Sequence, residues 1–167
     1  MPHFSLTYKL TGPGSAEAEI SDGITSVERE ISYIGPGIEA AADAAVALLQ
    51  IAERSEFLWL DEPGCTQWTL EKQNDQLQVT IAIWYDRMEP RGAPAYKTLS
   101  ISTTPLKFAI QVWDALRHLL EEYGTSGYEQ KWHRAFPLDE YKKLDQLISE
   151  TKRATREARR RAIEQSD

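Results

Sequence analysis

Apolar and polar residues alternate along much of the first hundred positions. From His3 to Leu10, Phe4, Leu6, Tyr8 and Leu10 share one face while Ser5, Thr7 and Lys9 share the other, which predicts a half-buried strand. Gly12-Pro13-Gly14 breaks it. Residues 15–21 then set Ala16, Ala18 and Ile20 against Glu17 and Glu19. Asp22-Gly23 tolerates positive φ and predicts a two-residue hairpin into a return strand, Ile24 to Tyr33, with Val27, Ile31 and Tyr33 on one side. After Gly35-Pro36-Gly37 the period lengthens. Ile38, Ala41, Ala45, Leu48 and Leu49 fall at helical spacing in an alanine-crowded segment whose small inner face suits close packing on a sheet.

The middle of the chain returns to strands. Phe57 to Leu60 is a short one, and the run Asp61-Glu62-Pro63-Gly64 predicts a type II turn, read with Pro63 at i+1 and Gly64 at i+2. Residues 65–73 form the next strand, and Asn74-Asp75 turns it into Gln76 to Asp86. There Leu77, Val79, Ile81, Ile83 and Tyr85 point one way, with Trp84 on the polar side near Thr80 and Asp86. A Pro/Gly loop over 88–94 precedes a last strand, Tyr96 to Thr103. Thr104-Pro105 predicts a helix start, threonine as N-cap and proline at N1. Its apolar stripe runs through Leu106, Ala109, Ile110, Trp113, Leu116, Leu120 and Tyr123, and Gly124 stands at the C′ position. Thr125 to Phe136 reads as a connector pegged by Tyr128, Trp132 and Phe136. Pro137 opens a final helix whose stripe, Leu138, Tyr141, Leu144, Leu147 and Ile148, ends there.

Short connections between strands mean antiparallel pairing, because a parallel neighbour needs a crossover. The expected fold class is therefore α+β: a largely antiparallel sheet of about six strands with two to three helices on one face and a projecting C-terminal helix. Residues 1–150 read as one α+β domain and 151–167 as a charged helical extension.

Charge and composition narrow the function classes. The chain has 19 basic and 26 acidic side chains, net −7. Residues 138–167 carry eight basic and seven acidic groups, so residues 1–137 hold a net −8. An acidic body repels nucleic acid and steers basic partners toward it. The basic run Lys152 to Arg161 has no interleaved aromatics of the kind that stack bases, so no nucleic-acid partner is expected. No apolar run reaches membrane-spanning length, and Met1 to Ser5 lacks a charged and apolar leader. With one cysteine, Cys65, these features predict a cytoplasmic protein without disulfides.

Catalytic constellations are sparse. His3, His118 and His133 have no metal-ligand spacing, the glycines at 12, 14, 35 and 37 flank prolines that remove phosphate-binding donors, and acids beside Cys65 disfavour its thiolate. The reading assigns no catalytic residue, no metal and no cofactor. The acid pairs Asp61-Glu62 and Glu121-Glu122 are surface carboxylates. Trp84, on a polar sheet face, is either covered by a loop or an exposed anchor.

The run Ser32-Tyr33-Ile34, the alanine-rich helix, Trp59, Glu62-Pro63-Gly64 and Trp68 resembles a group of small bacterial proteins with no assigned reaction. Tyr123-Gly124, Gly127-Tyr128, Trp132 and Phe136-Pro137-Leu138 are similar to patterns there and in immunity proteins of bacterial toxin systems. The resemblance, over residues 30–145, implies a cytoplasmic α+β protein and transfers no active-site residue. The function expected is a non-enzymatic binding module, an inhibitor or immunity-type protein for a basic partner contacted through Asp61, Glu62, Trp84 and Asp86. The alternatives are a small hydrolase-like enzyme using Asp61 or Glu62 with a histidine folded against them, and a self-associating structural protein.

Overall fold

The computed structural model describes residues 3–166; Met1, Pro2 and Asp167, ends of the leader and extension readings, lie outside the described residues. The first strands are β1 (Ser5–Gly12), β2 (Ser15–Ser21) and β3 (Ser26–Ser32), followed by α1 (Ile38–Leu49). Then come β4 (Arg54–Asp61), β5 (Gly64–Gln73), β6 (Gln76–Trp84) and β7 (Lys97–Thr103), and the helices α2 (Pro105–Trp132) and α3 (Leu138–Ser166) close the chain. The α+β class holds, but the single sheet of about six strands is corrected. Seven strands form two antiparallel sheets, one of order β1-β2-β3 and one of order β4-β5-β6-β7. β3 approaches β4 without pairing with it.

The alternation predicted from the chain sets the inner faces. Leu6 pairs across to Ile20 and Ile20 to Val27 in the first sheet; Trp68 pairs to Ile81 and Ile81 to Leu99 in the second. These faces, the alanine side of α1 and the stripes of α2 and α3 join in one hydrophobic cluster. Trp68 is at its centre: its ring stacks on Phe57 at 5.3 Å and meets Trp59 at 5.0 Å, Phe4 at 6.4 Å and Phe108 at 6.3 Å. α2 lies along β1, where the Gln111 side-chain carbonyl accepts the Leu6 backbone N–H at 3.0 Å. That contact satisfies a donor on a strand edge that would otherwise be open.

Several local expectations are met and others shift. Thr104 caps α2, its hydroxyl accepting Lys107 N–H at 3.1 Å, with Pro105 beginning the helix. Asn74, at φ 57, turns β5 into β6. Between β2 and β3 the two-residue hairpin is replaced by a four-residue loop, because the Asp22 carboxylate accepts the N–H groups of Ile24 and Thr25 at 2.8 and 2.7 Å. That local bond competes with continued pairing. Gly124 leaves the helix at φ 66 as a C′ glycine would, but helix resumes beyond it, so the expected connector is a second helical segment. Tyr128 and Trp132 are buried from that segment and Phe136 from just after it. Trp113 sits at the edge of the stripe, partly buried and stacked on Tyr141 at 6.0 Å. In α3 the buried positions end at Ile148, and residues 152–166 form an exposed helical arm. Among the described residues no helix is long and apolar enough to cross a membrane.

Candidate partner-binding surface

One end of the second sheet gathers the residues singled out from the sequence. β4 turns into β5 through Glu62-Pro63, Asp61 pairing directly with Gly64. With Asp61 and Gly64 paired, Pro63 holds the third turn position and not the second, which corrects the type II expectation; the Glu62–Pro63 bond is cis. Gly64 is pressed against the Trp84 carbonyl and the backbone of Tyr85, and a Cβ there would collide with the first and crowd the second. The missing side chain lets the 61–64 turn and the chain leaving β6 lie in contact. Cys65 and Trp84 are cross-strand partners just inside.

Of the two fates foreseen for Trp84, the structure shows the covered one. Its side chain is 6% exposed, and its indole N–H donates to the Ala93 carbonyl at 3.1 Å, so the 85–96 loop folds over it. The loop is closed by Tyr96 N–H donating to the Ile83 carbonyl at 2.9 Å. Tyr85, expected to point inward, lies just past the end of β6 and is 53% exposed, and Tyr96 is 63% exposed. Their rings sit 5.5 Å apart. The Tyr96 hydroxyl donates to Asp86 at 3.0 Å, and this bond, with the carboxylate's charge, raises the phenol's pKa above its ordinary value.

Beneath this pair is a residue the alternation did not flag. Arg29 occupies an inward position of β3 and is 8% exposed; its Nε–H donates to the Thr66 hydroxyl at 2.7 Å and its guanidinium lies 5.5 Å over the Tyr85 ring. A charge between Val27 and Ile31 reads as a break in the pattern, which is the one signal that could have marked it. Asp61 lies beside Arg29 and Glu30. Partial burial, then the Glu30 charge, raises its carboxyl pKa, while Arg29 pulls the other way. The buried Cys65 thiol is pushed up chiefly by burial, with Arg29 opposing, so it stays protonated.

The raised Asp61 pKa carries a sign. The folded state holds this proton more tightly than the unfolded chain, so the group's contribution to stability falls as pH rises above its ordinary 3.8. Asp61→Asn is therefore expected to be neutral or slightly stabilising at pH about 7, within about 0.5 kcal/mol, and to lose any gain near pH about 4. Urea unfolding of both proteins at the two pH values measures this. A variant clearly less stable at neutral pH would show Asp61 working as Arg29's structural counter-ion.

The enzyme alternative required a histidine at Asp61 or Glu62. His3 lies against Gly23, His118 bonds the Asp114 carbonyl at 2.9 Å and His133 meets Tyr33 edge-on at 5.1 Å. None of the three pairs with either acid. Among the described residues no group of three or more His, Cys, Asp or Glu is placed to hold a metal ion. What the arrangement offers is a pair of exposed aromatic rings, one bonded to Asp86 and the other with its backbone against the 61–64 turn, with the Arg29 cation behind it.

No family model matches the chain, and no curated protein matches it. Among solved structures the chain is similar to one from the CdiA-CT/CdiI toxin and immunity complex of Enterobacter cloacae, at 11% identity and a TM-score of 0.39, covering 72% of this chain and 99% of that one.

Proposed function

We propose that the protein is a non-enzymatic binding module that takes a basic protein partner at the 61–64 turn. The observation that carries this is the exposed Tyr85–Tyr96 pair, with Asp86 bonded to one ring and the acidic 61–64 turn packed against the backbone of the other. Aromatic anchors enclosed by a polar rim are the usual anatomy of a binding hot spot. The acid excess of residues 1–137 supplies long-range steering toward a cation-rich surface. An inhibitor of the immunity type is the member of this class that the sequence resemblance implies. Trp84 acts here from behind the surface, holding the 85–96 loop that positions both tyrosines, and direct contact passes to Tyr85 and Tyr96.

The test is capture of a partner from the native host, followed by binding kinetics at two salt concentrations. Exchanging Asp61, Glu62 and Asp86 for their amides should slow association about tenfold at low salt and leave dissociation nearly unchanged. Tyr85→Ala should instead speed dissociation about thirtyfold, the equivalent of a 2 kcal/mol anchor. An acidic partner, or one indifferent to salt and to Tyr85, would sink this reading. Turnover of a small molecule abolished by Glu62→Gln would move the protein to the enzyme class.

A further inference from the structure

We propose that the α3 arm docks on the outer face of the first sheet in a second copy of this chain. The inference goes beyond the binding reading above and uses the outer face of the first sheet, whose Glu30 edge adjoins Asp61. Residues 1–150 carry thirteen basic and twenty-three acidic side chains, net −10, while residues 151–167 carry six and three, net +3. The arm is thus a cation-rich helix on an acid-rich body, and the charge separation lies along a single chain.

The arm presents its charges in an ordered way. Lys152, Thr155, Arg156 and Arg159 recur at the spacing of one helical face. With Leu106 from the first turn of α2 they line a groove of about 510 Å³. The start of α2 adds the positive end of a helix dipole. Within the arm the Arg160–Glu164 contact at 3.7 Å is the one ion pair formed among the described residues. Among the described residues Lys152, Arg156 and Arg159 have no carboxylate within salt-bridge distance.

The complementary surface is set by strand register. On the outer face of the first sheet Glu17 stands directly across from Glu30, and Glu19 across from Glu28. Lys9, opposite Glu17 on β1, is the one cation in that register. Like charges placed directly across a strand pair destabilise it. No helix or loop covers this face: Glu19, Glu28 and Glu30 are exposed and Glu17 half-buried, and none forms a salt bridge among the described residues. A cationic helix laid over the face neutralises opposed carboxylates that the fold itself leaves unpaired. Two such contacts related by a twofold axis make a closed pair, each copy giving its arm and receiving the other's.

Charge exchange tests this with the full-length chain. At about 50 mM salt the mass measured by sedimentation should rise with concentration toward twice 19.0 kDa, and at about 500 mM it should stay at 19.0 kDa. One variant, Lys152→Glu with Arg156→Glu and Arg159→Glu, reverses the groove. A second, Glu28→Lys with Glu30→Lys, turns both like-charge pairs into opposite-charge pairs and keeps Glu17 opposite Lys9, so it should fold at least as well as the parent. Each variant alone should sediment as a monomer at low salt, and an equal mixture should recover the doubled mass, because both reciprocal contacts are then attractive. A parent that stays at 19.0 kDa throughout, or association that persists in high salt and in both variants, overturns the proposal. A monomeric parent that binds a labelled oligonucleotide through the arm also overturns it. A monomeric parent that still captures a partner through Tyr85 would remove this inference and leave the binding reading intact.

Discussion

Trp68→Ala is expected to cost about 3–5 kcal/mol, a large share of the 5–15 kcal/mol that holds a typical domain together. The side chain is fully buried, and its ring is where both sheets and α2 meet through Phe4, Phe57, Trp59 and Phe108. Removing the indole strips four aromatic neighbours of their contacts at once. Phenylalanine at the same position is expected to cost much less. The indole N–H is buried with no hydrogen-bond partner among the described residues, so the smaller ring forfeits packing but no bond. Urea titration gives both values from the shift in midpoint at constant slope. An alanine variant within about 1 kcal/mol of the parent would show that the sheets hold together without this node.

The second large effect is expected at Gly37, for a different reason. Gly37 caps α1, and a Cβ built on it would overlap the Tyr8 hydroxyl and stand 2.9 Å from Cζ2 of Trp132. The backbone cannot yield easily. Gly37 N–H donates to Glu39 at 2.6 Å, its carbonyl accepts the Trp59 indole N–H at 2.9 Å, and the other Glu39 oxygen accepts the Tyr128 hydroxyl at 2.5 Å. Overpacking a tight site costs about 1–3 kcal/mol, and with three bonds disturbed together Gly37→Ala should reach the upper end. Burial and the Glu39 charge push the Tyr8 phenol's pKa well up, with the Ile38 backbone N–H opposing, so it stays neutral, and beyond that approach its hydroxyl has no hydrogen-bond partner among the described residues. Tyr8→Phe alone should therefore be close to neutral. Combined with Gly37→Ala it should restore more than about 1 kcal/mol, the sign of a direct clash in a double-mutant cycle. Strict additivity would place the damage elsewhere in the cap.

What could be read from the chain was local. The alternation over Leu77 to Ile83, the Thr104-Pro105 cap, the Asn74 turn and the end of the stripe at Ile148 each follow from neighbours in sequence. The division into two sheets did not, because alternation sets which way a side chain faces and says nothing of a strand's lateral partner. β3 and β4 are both amphipathic, yet α1 separates them in the chain and they approach without pairing. The candidate surface was half legible. Asp61, Glu62 and Asp86 are hydrophilic turn residues, and their neighbourhood follows from the β5–β6 register. Tyr85 faces solvent because the strand stops at Trp84, two residues before its expected end, where the chain turns back to cover Trp84. Arg29 and the Tyr8–Glu39–Tyr128 group depend on contacts between residues far apart in sequence.

The bond from Leu6 to Gln111 spans 105 positions. During synthesis at about 5–20 residues per second, β1 emerges roughly 5–20 s before the residue that guards its edge. For that interval a nascent first sheet offers unpaired backbone groups to any neighbouring chain, so the protein's exposure to co-translational misassembly is governed by how late α2 is made.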